Sequence, residues 1–179
     1  MSLRDKYVKE VIPKVKQELG LKNDLEVPRL SRIVVNVGIG KIAAEEPLVK
    51  KVVEDIRKIT GQQPVFTVAK KAISGFKVKQ GDKVGLKVTL RGKRMWDFLE
   101  RMIVGALPRI KDFQGIPLAN ITEVGDCSVG IREHIVFPEI NPDETNYVFG
   151  LQVNIVTTAK TKAEGIAVLK ALGFPVRED

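Results

Sequence analysis

The sequence predicts an α+β fold, a two-layer sandwich in which a mainly antiparallel sheet carries helices packed on one face. Segments that alternate apolar and polar residues, as half-buried strands do, lie over residues 30–37, 86–91 and 149–158. Amphipathic segments with helical spacing are interleaved with them. The chain has 179 residues, of which 44% are hydrophobic, enough for a sizeable core. We therefore expect residues 1–179 to form a single domain.

The first predicted elements are a helix and a strand. Apolar residues recur at helical spacing over residues 3–19, which predicts an N-terminal helix. It should bend or restart at Pro13, because proline removes a backbone donor, and end at Gly20. Alternation then predicts a strand over residues 30–37, with Asn36 on its polar face.

Two helices are predicted around the most basic part of the chain. The first begins at a proline and covers residues 47–59. Residues 60–94 then predict two strands joined by a long loop rich in Gly and Lys, with the protruding part at about residues 70–85. A further amphipathic helix is expected over residues 93–107.

The last third of the chain is more irregular. Residues 112–147 contain many Gly, Pro, Asn and Asp residues, with short strand candidates at 129–131 and 135–137. A strong strand follows over residues 149–158. Thr161 opens a capping box, which predicts the start of the last helix.

The positive charge of the chain is concentrated in one stretch. Thirty Lys and Arg residues stand against 22 Asp and Glu residues, an excess of +8. Residues 70–94 carry nine basic residues and one acid, Asp82, so this stretch accounts for the whole excess. Concentrated cations are typical of a site for a polyanion. Residues 112–179 are acidic, which suggests that the two halves meet different partners.

Alternation within the basic stretch places cations on one face of a strand. Positions 86, 88 and 90 are apolar and point one way, whereas Lys87, Thr89 and Arg91 point the other way. Together with Asn36 and Thr67, these residues predict a polar sheet face that is free to bind a ligand. The alternative interpretation is a solvated edge strand whose lysines prevent edge-to-edge pairing.

No catalytic or metal-binding constellation emerges from the sequence, which predicts a protein that is not an enzyme and needs no cofactor. The Gly38-Ile-Gly-Lys41 segment invites a phosphate-loop interpretation and leaves a nucleotide-dependent enzyme as an alternative function. It lacks the Walker spacing and the hydroxyl residue after the lysine, so a tight turn is favoured. His134, the only histidine, is predicted at a strand end or on the surface. Cys127, the only cysteine, is predicted in a polar loop, where a reactive thiol is not excluded.

The composition limits the cellular setting. A single cysteine cannot form an internal disulfide, which fits a reducing cytoplasm. No apolar run approaches the roughly 20 residues needed to span a bilayer, so we expect no membrane partner. The first residues have neither a signal core nor transit-peptide character.

A series of ordered motifs runs along nearly the whole chain. They include Ile33-Val-Val-Asn-Val-Gly-Ile-Gly40, Thr60-Gly-Gln-Gln-Pro64, Ala69-Lys-Lys-Ala-Ile-Ser-Gly-Phe-Lys77, Lys87-Val-Thr-Leu-Arg-Gly92, Arg94-Met-Trp-Asp-Phe-Leu99, Phe137-Pro-Glu-Ile140 and Leu172-Gly-Phe-Pro175. In this order they resemble the large-subunit ribosomal protein five family of bacterial type. Because so many motifs match in order, the resemblance is highly specific.

The resemblance implies a structural protein in the large ribosomal subunit that binds 5S rRNA in the central protuberance, beside large-subunit rRNA and other 5S-associated proteins. It also implies a loop that contacts peptidyl-site tRNA and a bridge to a protein of the small-subunit head. The motifs assign 5S rRNA binding to Asn36, Gln62, Thr67, Thr89 and Arg91, and the row of cations adds Lys87. The tRNA-contacting loop is matched by Ser74, Gly75, Phe76, Lys77, Lys79 and Lys83.

The chain departs from the family pattern at several places. Four positions that are commonly basic hold Val68, Gln114, Val124 and Phe149. The glycine-rich segment of the family is replaced here by Ile121-Thr-Glu-Val-Gly-Asp-Cys127. We therefore expect no RNA contact from these places. A protein-interaction module acting through the acidic half is a third hypothesis, compatible with the ribosomal one because the bridge would use that surface.

Overall fold

The computed structural model describes residues 2–76 and 78–177. Lys77, one of the predicted loop cations, lies outside the described residues. Of Phe76, only the backbone is described, and it lies in a 3-10 turn.

The described residues form seven strands. They are β1 (Leu30–Gly38), β2 (Val65–Val68), β3 (Lys83–Leu90), β4 (Ile116–Pro117), β5 (Cys127–Ile131), β6 (Leu151–Thr157) and β7 (Val176–Arg177). Five of them form one sheet in the order β2-β3-β1-β6-β5, and every neighbouring pair is antiparallel. β4 and β7 make a separate parallel pair. The three long predicted strands and the mainly antiparallel sheet are therefore confirmed.

Helices lie against one face of this sheet. The main ones are α1 (Leu3–Lys6, Tyr7–Val11 and Ile12–Glu18 in succession), α2 (Glu46–Thr60), α3 (Gly92–Arg101) and α4 (Lys162–Ala171). α3 continues through a π-helical segment, Met102–Ala106, and a 3-10 turn, Leu107–Arg109. No helix among the described residues has both the length and the apolar character needed to cross a membrane.

The core lies between the helices and the inward side of the sheet. Most inward strand residues are buried, as the alternation predicts, and those of the three long strands include Ile33, Val35, Val37, Leu86, Val88, Leu90, Leu151, Val153 and Ile155. Residues from all four helices pack against them, for example Val15, Ile56, Phe98 and Val168. The α+β two-layer sandwich predicted from the sequence is confirmed.

The N-terminal helix keeps going through Pro13 instead of restarting there. Proline has no N–H, so it cannot bond the Lys9 carbonyl as a helical residue normally would. Just before it, Tyr7–Val11 is π-helical, and the Ile12 N–H donates to the Tyr7 carbonyl five residues back. The wider turn lets the helix continue without the missing bond.

The predictions for His134 and for a strand at 135–137 are wrong. His134–Val136 forms a 3-10 turn, and the His134 side chain is fully buried. Its ring stacks on that of Phe149 at 3.9 Å between centroids, and its Nδ1 accepts the Phe149 N–H at 3.4 Å. These contacts come from a residue 15 positions away, so local pattern did not reveal them.

Cys127 is also placed differently from its prediction. It is the first residue of β5 and is fully buried, not in a polar loop. Burial raises the pKa of its thiol to about 12. Because the thiolate is the nucleophilic form, Cys127 is not a reactive thiol at neutral pH.

Candidate nucleic-acid interface

The face of the sheet turned away from the helices, called here the open face, carries polar side chains and glycines. It comprises Arg32, Val34, Asn36 and Gly38 of β1, Val65 and Thr67 of β2, Gly85, Lys87 and Thr89 of β3, Ser128 and Gly130 of β5, and Gln152, Asn154 and Val156 of β6. Asn36, Lys87 and Gln152 are exposed, while Thr67 and Thr89 are half-buried. The open face therefore presents side chains that favour a polar partner.

Strand register brings several of the predicted ligands together. Lys87 pairs with Asn36, so a cation and an amide lie side by side on adjacent strands. Thr89 lies two residues further along β3, opposite Val34. Thr67 lies beside Gly85, where an added Cβ would meet the Thr67 Oγ1 at 2.7 Å. The absence of a side chain at Gly85 thus leaves room for the Thr67 hydroxyl.

Lys87 lies on β3, an interior strand of the sheet, and Arg91 follows directly after that strand. β3 pairs with β2 on one side and with β1 on the other. The alternative interpretation, a solvated edge strand protected by lysines, is therefore wrong for β3. Arg91 follows β3 in extended backbone, with φ −139° and ψ 163°, and is exposed. The alternation continues through it, so Arg91 extends the row begun by Lys87 and Thr89.

The exposed cations of this region are electrostatically uncompensated. Within the part of the chain that the structure describes, none of them forms an ion pair with a carboxylate, and they are Lys70, Lys71, Lys79, Lys87, Arg91 and Lys93. Some cations elsewhere are paired, as in Arg101–Glu139 at 2.7 Å. An unpaired group of cations creates a positive field that attracts polyanions.

Gln62 has a different environment from the other predicted ligands. Its Nε2 donates to the Thr89 carbonyl at 3.1 Å, and its Oε1 accepts from Arg94 at 3.3 Å. The side chain therefore ties the segment before β2 to the end of β3. Gln62 positions Thr89 and Arg94, and only its second N–H and second lone pair are left for a ligand.

The described residues within 69–82, called here the basic loop, form a small hairpin of their own. Backbone hydrogen bonds join its two sides: Ala69 N–H to Asp82 O, Gly81 N–H to Ala69 O, Ile73 N–H to Val78 O, and Val78 N–H to Ile73 O. A 3-10 turn, Ser74–Phe76, lies between the inner pair. Ser74 and Gly75 are exposed in that turn. The loop is thus a local structure that extends from the end of β2 and the start of β3.

The only acid of the basic loop is used inside it. The Asp82 Oδ2 accepts the Lys79 N–H at 2.7 Å, which holds the turn that leads into β3. The side chains of Lys70, Lys71 and Lys79 remain exposed. The loop therefore presents cations to solvent on a support that has few contacts with the core.

Lys83 lies outside this loop, contrary to its prediction. It is the first residue of β3 and pairs with Val68, so the loop ends at Asp82 and residues 83–85 belong to the strand. Its Nζ lies 4.4 Å from the centroid of the Phe66 ring, a cation–π contact. Phe66 faces the helix side of the sheet, where it lines a cavity with Val49 and Val53 of α2. Lys83 thus points towards α2.

The Gly38-Ile-Gly-Lys41 segment is a tight turn that is not followed directly by a helix, and its Ile39 amide is already used. The Ile39 N–H donates to the Val84 carbonyl at 3.0 Å, and the Ile42 N–H donates to the Ile39 carbonyl at 3.0 Å. Ile39 is buried, and α2 begins only at Glu46. A phosphate cradle needs free amides at a helix N-terminus, so this segment does not have the geometry of one.

Arg32, Ser128 and Gln152 of the open face were not among the predicted ligands. Arg32 pairs with Val156, Gln152 pairs with Asn36, and the Ser128 hydroxyl donates to Asn154 Oδ1 at 2.8 Å. The alternation of β6 placed Gln152 on a polar face, which was a usable signal. Ser128 lies in a short strand with little alternation, and nothing in the local sequence marked it.

The four positions that depart from the family pattern lie in three kinds of environment. Val68 and Val124 are exposed at 54% and 54%. Gln114 accepts from Arg177 at 3.0 Å. Phe149 is buried against His134, in a site that would not accept the charge of an arginine without a partner.

Residues 121–127 are occupied by contacts within the fold. The Asp126 Oδ1 accepts the Thr157 N–H at 2.8 Å at the end of β6. Gly125 lies directly against α4, where an added Cβ would lie 2.9 Å from the Gly165 Cα. The segment therefore acts as a brace between β6 and α4. No group of three or more His, Cys, Asp or Glu side chains in the described residues is arranged to hold a metal ion.

Comparison with known proteins covers almost the entire chain. Residues 23–79 match the family described as Ribosomal protein L5, and residues 83–176 match the model for the C-terminus of the same ribosomal family. Proteins named Large ribosomal subunit protein uL5 are similar over 175 residues with 46% identity, covering 98% of both chains; they include those of Francisella tularensis subsp. novicida (strain U112) and subsp. holarctica (strain OSU18).

Proposed function

Because this chain belongs to the ribosomal protein L5 family, we propose that its open face binds 5S rRNA in the central protuberance of the large subunit. The family makes it a protein of the large ribosomal subunit, which works with the ribosome in the cytoplasm, and not an enzyme. The described part of the chain shares one continuous hydrophobic core, which supports a single-domain protein.

The observation that carries the proposal is the row of unpaired cations on an interior strand of an uncovered sheet. Lys87 and Arg91 project from fixed backbone positions, next to Asn36 and Thr89. Cations neutralise phosphates and release counterions, while amides and hydroxyls bond ribose and base edges. Such a surface suits a partner that stays bound, and large-subunit rRNA adjacent to 5S rRNA is a further partner of the same chemistry.

The basic loop is proposed to contact peptidyl-site tRNA. Its exposed lysines sit on a hairpin that is held by its own hydrogen bonds and is attached to the sheet at one end. A loop of this kind suits a partner that binds and leaves. Ser74 and Gly75, in its 3-10 turn, and the exposed Lys79, in the turn that leads into β3, are the described residues proposed for that contact.

The acidic half is proposed to face proteins. Residues 112–177 contain exposed acids such as Asp112, Glu133 and Asp143. They repel RNA phosphates and attract basic proteins. A bridge to a protein of the small-subunit head and contacts with other 5S-associated proteins would use this half. The hypothesis of a protein-interaction module thus becomes part of the ribosomal one.

The proposal is tested by comparing two single-charge variants in binding to purified 5S rRNA. Lys87→Gln removes a cation from the open face, and Lys50→Gln removes one from the helix side, where Lys50 is 81% exposed. We expect Lys87→Gln to weaken binding about tenfold, since a hydrogen bond to a charged group contributes about 1.5 kcal/mol. Lys50→Gln should bind like the unchanged protein. Equal affinity of both variants, or equal affinity for an unrelated RNA of the same length, would overturn the proposal.

A further inference from the structure

A shallow groove of about 450 Å³ lies at one corner of the open face. It is formed where β1 and β5 end and β6 begins. The residues that matter to its chemistry are Asn36, Gly38, Gly130, Arg132, Gly150 and Gln152. Its volume falls in the range of about 300–1,000 Å³ that holds small ligands.

The floor of the groove is backbone because glycines stand where side chains would otherwise fill it. A Cβ added at Gly38 or at Gly130 would have no atom within 4 Å. Packing therefore does not require glycine at either position, and the space above them is empty. Gly150 differs, since its Cβ would lie 3.2 Å from the Ile131 carbonyl oxygen. Two of the three glycines thus leave room for something outside the fold.

The wall of the groove carries two side-chain amides that are free within the described part of the chain. Asn36 and Gln152 are directly opposed on β1 and β6, and both are exposed. Neither side chain has a hydrogen-bond partner among the described residues. The other amides of this region are used internally, because Gln62 bonds Thr89 and Asn154 accepts from Ser128. The groove therefore offers an adjacent pair of free amides.

We propose that this groove accepts one unstacked nucleotide of the bound RNA, an inference that rests on the proposed RNA-binding function of the open face. The flat glycine floor lets a base approach the backbone closely. Asn36 and Gln152 hydrogen-bond the edge of that base, as amides do in the readout of bases splayed out of an RNA helix. The exposed Arg132 neutralises the phosphate of the same nucleotide.

The groove borders a region of mixed charge. An adjoining cavity of about 560 Å³ shares Gly130 and Arg132 with the groove. It is lined by two acids, Asp112 and Glu133, as well as by cations. Three cations, Arg109, Lys111 and Arg132, stand against these two acids, so the cavity carries both signs of charge.

The test fills the groove and follows one nucleotide. Gly130→Val places a β-favouring side chain on the empty floor, and Gly40→Ala is the control because its added Cβ also meets nothing within 4 Å but lies outside the groove. We expect Gly130→Val to bind 5S rRNA about tenfold more weakly. In chemical probing of the complex, a single unpaired nucleotide should lose protection, while the rest of the footprint stays. Gly40→Ala should change neither.

The outcomes separate the groove from the wider proposal. If Gly130→Val changes neither the affinity nor the footprint while Lys87→Gln still weakens binding, the groove does not bind a nucleotide. The proposal that the open face binds 5S rRNA would then remain. No effect of either variant would overturn both. If Gly130→Val lowers the melting temperature, Asn36→Ala and Gln152→Ala take its place, because their exposed side chains hold no internal bond. Each of these two variants should then leave the same nucleotide unprotected. If the nucleotide stays protected in both, the proposed nucleotide site is wrong.

Discussion

The open face and the basic loop carry the same kind of charge on two very different supports. Lys87 lies on β3, which is hydrogen-bonded to a strand on each side, so its direction is fixed by the whole sheet. Lys79 lies in a hairpin closed by a few backbone bonds and by Asp82, without a buried apolar residue among those described. The difference teaches that charge alone does not define a site here. The support decides whether a cation suits a lasting partner or a transient one.

The largest expected effect comes from removing the fixed cations. The double variant Lys87→Gln/Arg91→Gln should weaken 5S rRNA binding by roughly 3 kcal/mol, about 100-fold, taking about 1.5 kcal/mol for each charged hydrogen bond. For the unchanged protein, the slope of log affinity against log salt should be roughly −3 to −5, and it should become shallower by about 2 in the variant. A salt titration measures both. A flat salt dependence of the unchanged protein would contradict the electrostatic role of the open face.

Adding one methyl group in each region should show how rigid the supports are. Gly85→Ala would place a Cβ 2.7 Å from Thr67 Oγ1 and 3.0 Å from the Val37 carbonyl oxygen, so we expect a loss of roughly 1–3 kcal/mol in unfolding free energy. Gly75→Ala meets nothing within 4 Å and should change it by less than about 0.5 kcal/mol. Urea denaturation compares the two. If both variants have the same unfolding free energy, the sheet accommodates an added methyl group as easily as the loop does.

A hydroxyl on the open face separates binding from folding. Thr89→Val keeps the volume and β propensity but removes the hydroxyl, while the Thr89 carbonyl that bonds Gln62 is unchanged. We expect 5S rRNA affinity to fall by about 1 kcal/mol, because the RNA group that it bonds is left unpaired. The melting temperature should hardly move. If melting falls while binding holds, Thr89 serves the core and the assignment of this face is wrong.

The alternation of three strands was enough to predict the sheet, its facing and much of its polar surface. Asn36, Lys87 and Thr89 lie where a period of two places them, because strand geometry is local. The direction of Lys83 was not predictable in this way, since it depends on where the loop closes and on the Phe66 ring. His134 was missed because its burial depends on Phe149 and on Asp55 of α2, both distant in sequence. The groove was missed because it needs three strand ends at one corner.

Mild acid should act on the core and leave the basic loop unaffected. Burial lowers the pKa of His134, although Asp55, whose Oδ2 lies 3.6 Å from Nε2, opposes the shift. Below the ordinary histidine pKa of about 6.5 the unfolded chain therefore binds a proton that the folded chain resists. Stability should be complete above that pH and fall by up to about 1.4 kcal/mol per pH unit below it.

Urea denaturation at pH 7.5 and at pH 5.5 measures this effect. The control is His134→Gln, which does not titrate in this range. Its stability should change less between the two pH values than that of the unchanged protein. An equal change in both would show that other groups cause the pH dependence.

The central claim is that the cations of the open face bind 5S rRNA and those of the basic loop contact tRNA. A matched pair of double variants tests it most directly. Lys71→Gln/Lys79→Gln removes two charges from the basic loop, and Lys87→Gln/Arg91→Gln removes two from the open face and its continuation. The measurement is the affinity for 5S rRNA beside the dissociation rate of peptidyl-site tRNA from ribosomes assembled with each variant. We predict that the loop variant loses no more than about 1 kcal/mol of 5S affinity, the size of a long-range charge effect in water, yet releases tRNA faster. A loop variant that loses as much 5S affinity as the sheet variant, with tRNA release unchanged, would contradict the account.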